Sequence, residues 1–183
     1  MFQIGDFIMY GDTGVCKITG IQKMNLASKQ NPALYYTLTP VYQTCVIHTP
    51  VENPKVFMRP TISREMANCV IDEIPNAKVN TYHSKSVNDL TQHYQTSFVS
   101  HECEALVALT VSIFAKKQEL EKVGRKPGAI DEKFMKRAEE MLFGEFAVAL
   151  GISKDDVPAY IADRISKIKK DDTLVEDLDV AVM

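Results

Sequence analysis

Apolar and polar residues alternate along short stretches of the first 60 residues, which is the period of strands that bury one face. Residues that favour turns separate these stretches, at Gly5-Asp6, Gly11 to Gly14, Asn31-Pro32 and Glu52 to Pro54. The pattern predicts five strands, at Phe7–Tyr10, Val15–Ile21, Tyr35–Leu38, Thr44–His48 and Val56–Met58. Five short strands at this spacing are typical of a small closed sheet.

The apolar period becomes helical after residue 62. Capping residues and apolar stripes predict five helices, which begin near Ser63, Ser86, Ser100, Asp131 and Asp155 or Asp156. The predicted buried stripes include Met66 in the first helix and Phe114 in the third. Because short isolated helices are marginal in water, these should pack into one all-α domain. We therefore expect a β domain at 1–61 and a helical domain at 62–183, with an acidic C-terminal tail from about residue 171.

The composition is that of an ordinary globular protein, with 45% apolar and 25% charged residues in 183. The longest apolar runs, Ala105–Leu109 and Phe146–Leu150, are far shorter than the roughly 20 residues that span a bilayer. The first residues lack the basic start and apolar core of a secretory signal. We expect a cytoplasmic protein without a membrane segment.

No motif of a known enzyme class is present, and no P-loop or dinucleotide-binding pattern occurs. The four cysteines form no Cys-x-x-Cys pair, so we expect four buried thiols. Two histidines, a glutamate and a cysteine lie close in sequence and are candidate metal ligands, but their spacing matches no common zinc site: His93, His101, Glu102 and Cys103. The sequence therefore favours a protein that is not an enzyme and that holds no cofactor.

Charge is unevenly distributed around a formal total of −3. Residues 1–60 have a balance of +2, residues 116–137 a balance of +4 and residues 138–183 a balance of −6. A phosphate-binding face should therefore lie in the second of these ranges, and its candidate residues are Lys116, Lys117, Arg125, Lys126, Lys133, Lys136 and Arg137. The alternative is a solvated helix face, because four acidic residues are interleaved with these bases.

A small sheet domain without catalytic residues offers two ways to bind another protein. An edge strand can add a strand from a partner through backbone hydrogen bonds. Alternatively, the inner face could hold an aromatic or methylated side chain in a cage formed by Tyr35, Tyr36 and Tyr42.

Residues across nearly the whole chain resemble those of the CarD/CdnL family of bacterial transcription regulators. In the first part these are Phe2, Gly5-Asp6, Tyr10, Gly14-Val15, Tyr35-Tyr36-x-Leu38, Pro50, Glu52-Asn53 and Met58-Arg59. In the second part they are Glu132 to Ala138, Glu145 to Leu150 and Gly151-Ile152. The resemblance implies a Tudor/SH3-like β-barrel, shared with the transcription-repair coupling factor, that docks strand to strand on the RNA polymerase β subunit. Basic residues on two adjacent strands support docking in the family, and the positions similar to them here are Lys23, Met24, Val46 and His48.

For the helical domain the resemblance implies contact with promoter DNA, through a tryptophan wedge in the minor groove and nearby arginines. This chain has no tryptophan. The corresponding stretch, Thr81 to Tyr94, offers Tyr82, His83 and Lys85, and Lys85 joins the candidate DNA-binding residues.

These observations together predict a CarD-like regulator that binds the polymerase β subunit and modulates the stability of the promoter open complex. Its DNA contacts would be weak, non-specific phosphate contacts, and neither a membrane nor a small-molecule substrate is expected. The alternative is an adaptor that binds polymerase or another protein and does not touch DNA.

Overall fold

The computed structural model describes residues 1–25, 32–52 and 54–168. The chain divides into two compact units, Met1–Ile62 and Ser63–Met183. The first unit contains the strands and the second the helices, which confirms the predicted α+β class. The acidic tail (residues 171–183) lies outside the described residues.

The first unit is a five-stranded antiparallel sheet. Its strands are β1 (Phe7–Tyr10), β2 (Gly14–Met24), β3 (Ala33–Pro40), β4 (Ile47–Pro50) and β5 (Met58–Pro60). They are ordered β4-β3-β2-β1-β5, so β4 and β5 form the two edges. The inner face buries Ile8, Tyr10, Cys16, Ile18, Tyr36 and Leu38, as the alternating pattern predicted.

The turn between β1 and β2 requires a glycine at position 11. Gly11 has a φ of 44°, and a Cβ atom there would lie 2.6 Å from Val56 Cγ1. Both the positive φ and the close approach exclude other residues. The Gly11 N–H also donates to the carbonyl of Phe57 at 2.9 Å. This turn therefore holds β5 beside β1.

The two edge strands lie further along the chain than predicted. Strand β4 is Ile47–Pro50 where Thr44–His48 was expected, and β5 is Met58–Pro60 where Val56–Met58 was expected. Each observed strand ends in a proline, Pro50 or Pro60, which lacks the backbone N–H of other residues. Proline is compatible with an edge strand, however, because no neighbour needs its missing N–H.

The second unit is helical. Its helices are α1 (Arg64–Asp72), α2 (Val87–Val99), α3 (Cys103–Lys122) and α4 (Ala129–Leu150), and a fifth, α5, is described from residue 157 to residue 168. The Ser63 and Ser86 side chains cap α1 and α2, accepting from the N–H groups of Met66 at 3.1 Å and Asp89 at 3.3 Å. Gly151 ends α4 in the left-handed conformation. Two predicted core residues, Met66 and Phe114, are instead 42% and 49% exposed.

Helix α5 packs beside α1 through polar contacts. Arg164 binds Asp72 through two hydrogen bonds, of 2.5 and 2.7 Å, and the Tyr160 hydroxyl donates to Asn68 Oδ1 at 2.8 Å. The residue numbers of the partners increase in the same direction along both helices, so α1 and α5 are parallel. Among the described residues, no helix is long and apolar enough to cross a bilayer.

A buried ion pair joins α2, α3 and α4. Lys116 Nζ on α3 donates to Asp131 Oδ1 on α4 at 2.8 Å, and both residues are more than nine-tenths buried. The Tyr94 hydroxyl on α2 donates to the same oxygen at 2.7 Å. Burial, with this hydrogen bond, raises the pKa of Tyr94. The other carboxylate oxygen accepts from the Gly128 N–H at 3.3 Å, at the start of α4.

Replacing Lys116 with methionine should destabilise the protein strongly, because Asp131 would remain buried without its counter-charge. Loss of one partner of a buried pair costs about 3 kcal/mol or more in the free energy of unfolding. Urea denaturation would measure this loss in the free energy of unfolding. Adding Asp131→Asn should restore part of the loss, whereas Lys117→Met, on the exposed side of α3, should change stability by less than about 0.5 kcal/mol. A Lys116→Met variant as stable as Lys117→Met would contradict this role for the pair.

The prediction of four buried cysteines is wrong for two of them. Cys16 and Cys103 are buried, whereas Cys45 and Cys69 are exposed. Burial, with a smaller contribution from Cys45, raises the pKa of Cys16 to about 11. The Cys103 thiol donates to the buried Glu145 Oε2 at 3.0 Å.

Alkylation of the native protein with iodoacetamide near pH 8 should therefore modify Cys45 and Cys69 rapidly and Cys16 and Cys103 slowly. The thiolate is the reactive form, and the Cys16 thiol is protonated at that pH. Mass spectrometry of timed digests would assign the rates, with urea-unfolded protein as the control in which all four react. Rapid labelling of Cys16 in the folded protein would be inconsistent with the structure.

Candidate binding surfaces

The four candidate polymerase-binding residues lie on two strands that are not neighbours. Lys23 and Met24 end β2, His48 is on β4, and Val46 immediately precedes β4. Strand β3 lies between these strands. The expectation that these positions occupy adjacent strands is therefore wrong.

The faces of the sheet separate Lys23 from His48 as well. Lys23 pairs with Leu34, and His48 pairs with Thr37. Leu34 and Thr37 are three residues apart on β3, so their side chains point to opposite faces. The Thr37 hydroxyl lies 3.3 Å from His48 Nδ1, on the face away from the core. Lys23 and His48 thus do not form one basic patch.

Strand β4 presents backbone groups at its edge of the sheet. The Val51 N–H donates to the Leu34 carbonyl at 2.9 Å, so Val51 and Leu34 form a hydrogen-bonded pair. Antiparallel pairing alternates, and therefore the N–H and C=O of Thr49 point toward β3 while those of His48 point away from it. The Pro50 carbonyl also points outward. His48 supplies a donor and an acceptor in the middle of this edge.

The opposite edge offers fewer backbone groups. Backbone hydrogen bonds join Gly11 to Phe57 at 2.9 Å and Thr61 to Phe7 at 3.2 Å. Because antiparallel pairing alternates, the backbone groups of Met58 and Pro60, between these two pairs, point away from β1. Proline has no N–H, and the Pro60 carbonyl already accepts from the Arg59 guanidinium at 3.0 Å. Strand β5 is also only three residues long. It is the poorer template for an added strand.

The three tyrosines do not form the alternative aromatic cage. Tyr36 is buried in the core, where its hydroxyl accepts from the Phe2 N–H at 3.0 Å. Tyr35 is its neighbour on β3 and faces the other side of the sheet. Tyr42 lies beyond the end of that strand and is 43% exposed.

Two of the candidate DNA-binding residues are held by contacts within the helical unit. Lys116 is the buried partner of Asp131, so its assignment as a phosphate ligand is wrong: releasing it would leave a buried carboxylate unpaired. The Arg137 guanidinium carbon lies 4.2 Å from the centre of the Phe98 ring, a cation–π contact that holds it against α2. The count of charges along the sequence did not distinguish Lys116 from its exposed neighbour Lys117.

The remaining six candidates are exposed, and they form what we call the basic surface: Lys85, Lys117, Arg125, Lys126, Lys133 and Lys136. The contacts Cys103–Glu145 and Lys116–Asp131 show that α3 and α4 are antiparallel. Lys117, the loop residues Arg125 and Lys126, and Lys133 therefore lie at one end of the α3–α4 pair. Lys136 lies only about 7.5 Å further along α4 than Asp131.

A long-range contact brings Lys85 to the same end. His83 Nε2 lies 3.2 Å from Glu119 Oε2 on α3, and Lys85 is two residues from His83. The Thr81 hydroxyl donates to the same carboxylate at 3.5 Å. The segment between α1 and α2 thus brings Lys85 to the end of α3 that precedes the Arg125 loop, which its position in the sequence did not predict.

Local electrostatics place Lys117 and Lys136 on one side of the helix pair. Burial raises the pKa of Glu139 and nearby Lys117 opposes that rise, so Lys117 lies close to Glu139. Lys136 is one turn before Glu139 on α4. Lys117 Nζ is also 3.9 Å from Glu121 Oε1, with both side chains about half exposed, and such a surface pair is weak.

The stretch similar to the family's wedge region contains a stacked aromatic pair. The Tyr82 and His93 rings are 3.9 Å apart with an angle of 18° between their planes. His93 was also a candidate metal ligand with His101, Glu102 and Cys103. Within the ranges that the structure describes, no group of three His, Cys, Asp or Glu residues is arranged to hold a metal ion.

Comparison with known families assigns the first unit. Residues 2–62 match the CarD-like/TRCF RID domain, the RNA-polymerase-interacting domain of that family. A comparison of the chain with curated proteins gave no match. The match covers the sheet, which is therefore Tudor-like as predicted, and it ends where the helical unit begins. The resemblance of the helical unit stays a prediction. Residues 2–62 are therefore similar to the RNA-polymerase-interacting domain of the CarD-like family, and this match describes the first unit alone.

Proposed function

We propose that this protein is a non-catalytic transcription regulator. Its first unit docks on the RNA polymerase β subunit through the edge of β4, and its second unit contacts promoter DNA and modulates the stability of the open complex. The observation that carries the proposal is the outward backbone edge of β4 on a domain whose family interacts with RNA polymerase.

Docking through β4 relies on backbone hydrogen bonds more than on side-chain charge. Strand addition fixes the register through the N–H and C=O groups of the edge. Val46, 61% exposed just before β4, provides apolar contact area beside that edge. Lys23 lies on the other face and two strands away, so it has no part in this contact. The proposed interface is therefore smaller than the four candidate residues suggested, and it is centred on His48.

Replacing His48 with proline should weaken polymerase binding about tenfold or more. Proline removes the outward N–H of β4, and an edge position tolerates it because no bond to β3 is lost. Loss of about 1.4 kcal/mol corresponds to a factor of ten. Biolayer interferometry with the isolated lobe of the β subunit would measure the affinity.

Two matched variants make this test specific. His48→Ala keeps the backbone N–H and should retain affinity within about threefold, since it removes only the side chain. Met58→Pro likewise removes the outward N–H of β5, together with a side chain that packs on the core, and binding by the folded variant should be unchanged. If Met58→Pro weakens binding and His48→Pro does not, the docking edge is β5.

The DNA contact proposed for the second unit is electrostatic and independent of sequence. Lysine and arginine side chains bind backbone phosphates without reading bases. Lys116 and Asp131 neutralise each other in the interior of the unit. The other charged side chains of residues 116–137, seven basic and three acidic, therefore still have a net charge of +4. A unit tethered to docked polymerase meets DNA at roughly millimolar effective concentration, so weak contacts suffice.

Changing Lys126, Lys133 and Lys136 together to glutamine should make DNA binding less dependent on salt. Each lost phosphate contact makes the slope of log K against log salt shallower by roughly 0.9, so a change of about 2 to 3 is expected. Fluorescence anisotropy with a short duplex would measure the slope. The control, with Lys78, Lys154 and Lys167 changed to glutamine, loses the same charge away from the basic surface and should keep the slope.

The alternative, an adaptor that binds polymerase without touching DNA, is favoured by two observations. The chain has no tryptophan to serve as a wedge, and its formal charge is −3. Footprinting of a polymerase–promoter complex distinguishes the two functions. Unchanged protection and unchanged open-complex decay, with polymerase still bound, would establish the adaptor and exclude the DNA contact.

A further inference from the structure

The acidic tail is complementary in charge to the basic surface. Residues 171–183 contain five acidic and no basic side chains: Asp171, Asp172, Glu176, Asp177 and Asp179. The basic surface presents six exposed cationic side chains at one end of the α3–α4 pair. We infer that the acidic tail binds the basic surface within the same chain and competes there with nucleic-acid phosphates.

The tail is long enough to reach this surface. The described part of α5 ends at residue 168, one turn beyond the Arg164–Asp72 pair. Fifteen further residues, 169–183, can span up to about 50 Å when extended. Helix α4, with 22 residues, is only about 33 Å long from end to end. The length of the tail therefore does not prevent contact with any part of the basic surface.

An apolar cleft among the described residues is a second surface that the tail could occupy. It has a volume of about 310 Å³ and lies between α1 and α3, where Met66, Val70 and Val107 contribute to its lining. The tail carries Leu174, Val175 and Leu178, which could enter it. However, Glu73 and Glu104 also line this cleft against a single basic residue, Lys78, so its net charge of −1 would repel the tail carboxylates. Charge therefore favours the basic surface.

The size of the effect follows from competition within one molecule. A tethered segment acts at roughly millimolar effective concentration. If its intrinsic dissociation constant is about 0.1 mM, the tail reduces the apparent affinity for DNA about tenfold. This inhibition rests on the proposed function, whereas the contact between tail and surface does not. Both contacts weaken with salt, and the difference between variants should shrink as salt rises.

Carbodiimide cross-linking tests the contact without DNA. The reagent joins lysine amines to carboxylates that are in contact, and mass spectrometry of the full chain identifies the pairs. We expect cross-links from the tail acids to Lys117, Lys126, Lys133 or Lys136 at low salt, and their loss near 1 M salt. Lys167 and Asp163, with Nζ and Oδ2 2.6 Å apart, provide an internal positive control. Absence of tail cross-links to these lysines would overturn the inference.

DNA binding tests the competition. A chain ending at Lys170, and a full-length chain with the five tail acids changed to Asn or Gln, should both bind a short duplex about tenfold more tightly than the native chain at low salt. A third variant, with Leu174, Val175 and Leu178 changed to alanine, should bind like the native chain. Thermal unfolding would verify that each variant is folded.

The outcomes separate this inference from the proposed function. If the cross-links form but no variant binds DNA, the tail contact is supported and the DNA-binding function is wrong. If the native and truncated chains bind DNA equally well, the inhibition is overturned. If only the alanine variant releases DNA binding, the tail occupies the apolar cleft, and the basic surface is not its site.

Discussion

The buried ion pair between Lys116 and Asp131 is the constraint on which the helical unit depends. Each charge is costly to bury alone, so the two must remain together. Together with Tyr94 they require α2, α3 and α4 to meet at one level, and Asp131 also accepts from the Gly128 N–H at the start of α4. The bases that flank the pair in sequence are therefore exposed at one end of α3 and α4. The Lys116–Asp131 ion pair thus holds together the end of the helical unit at which the basic surface lies.

The pair also shows why charge counted along a sequence differs from charge presented to a partner. Lys116 and Lys117 are adjacent, yet one is 6% exposed and the other lies in solvent. A helix turns by 100° per residue, so neighbours in sequence cannot share a face. The net charge of the region is nevertheless unchanged, because the buried lysine neutralises a buried aspartate. The net charge of +4 calculated for residues 116–137 therefore holds, but Lys116 does not contribute to the charge on the surface.

The periodicity of apolar residues predicted most of the fold, and the errors in that prediction have identifiable causes. The five strands and five helices were predicted in the correct order, and β1 was correct at both ends. Both edge strands end two residues later than predicted, each at a proline that an edge strand tolerates, Pro50 or Pro60. The role of Lys116 could have been found, since it continues the buried stripe of Leu109 and Ile113, and Asp131 begins that of Phe134 and Ala138. The candidate docking residues failed to converge for another reason: strand order and face are properties of the sheet, and a local motif does not specify them.

The two contacts of the proposed function depend on different physical interactions, and this difference bears on how the regulator would work. Strand addition at β4 uses backbone hydrogen bonds and is little affected by ionic strength. Phosphate contacts depend steeply on salt. A protein built in this way remains on polymerase under conditions that weaken its hold on DNA. The docked unit then keeps the effective concentration of the second unit high, and the DNA contact can be adjusted without loss of the complex. The proposed binding of the acidic tail to the basic surface would make that adjustment, because it would weaken only the electrostatic contact and leave the backbone contact unchanged.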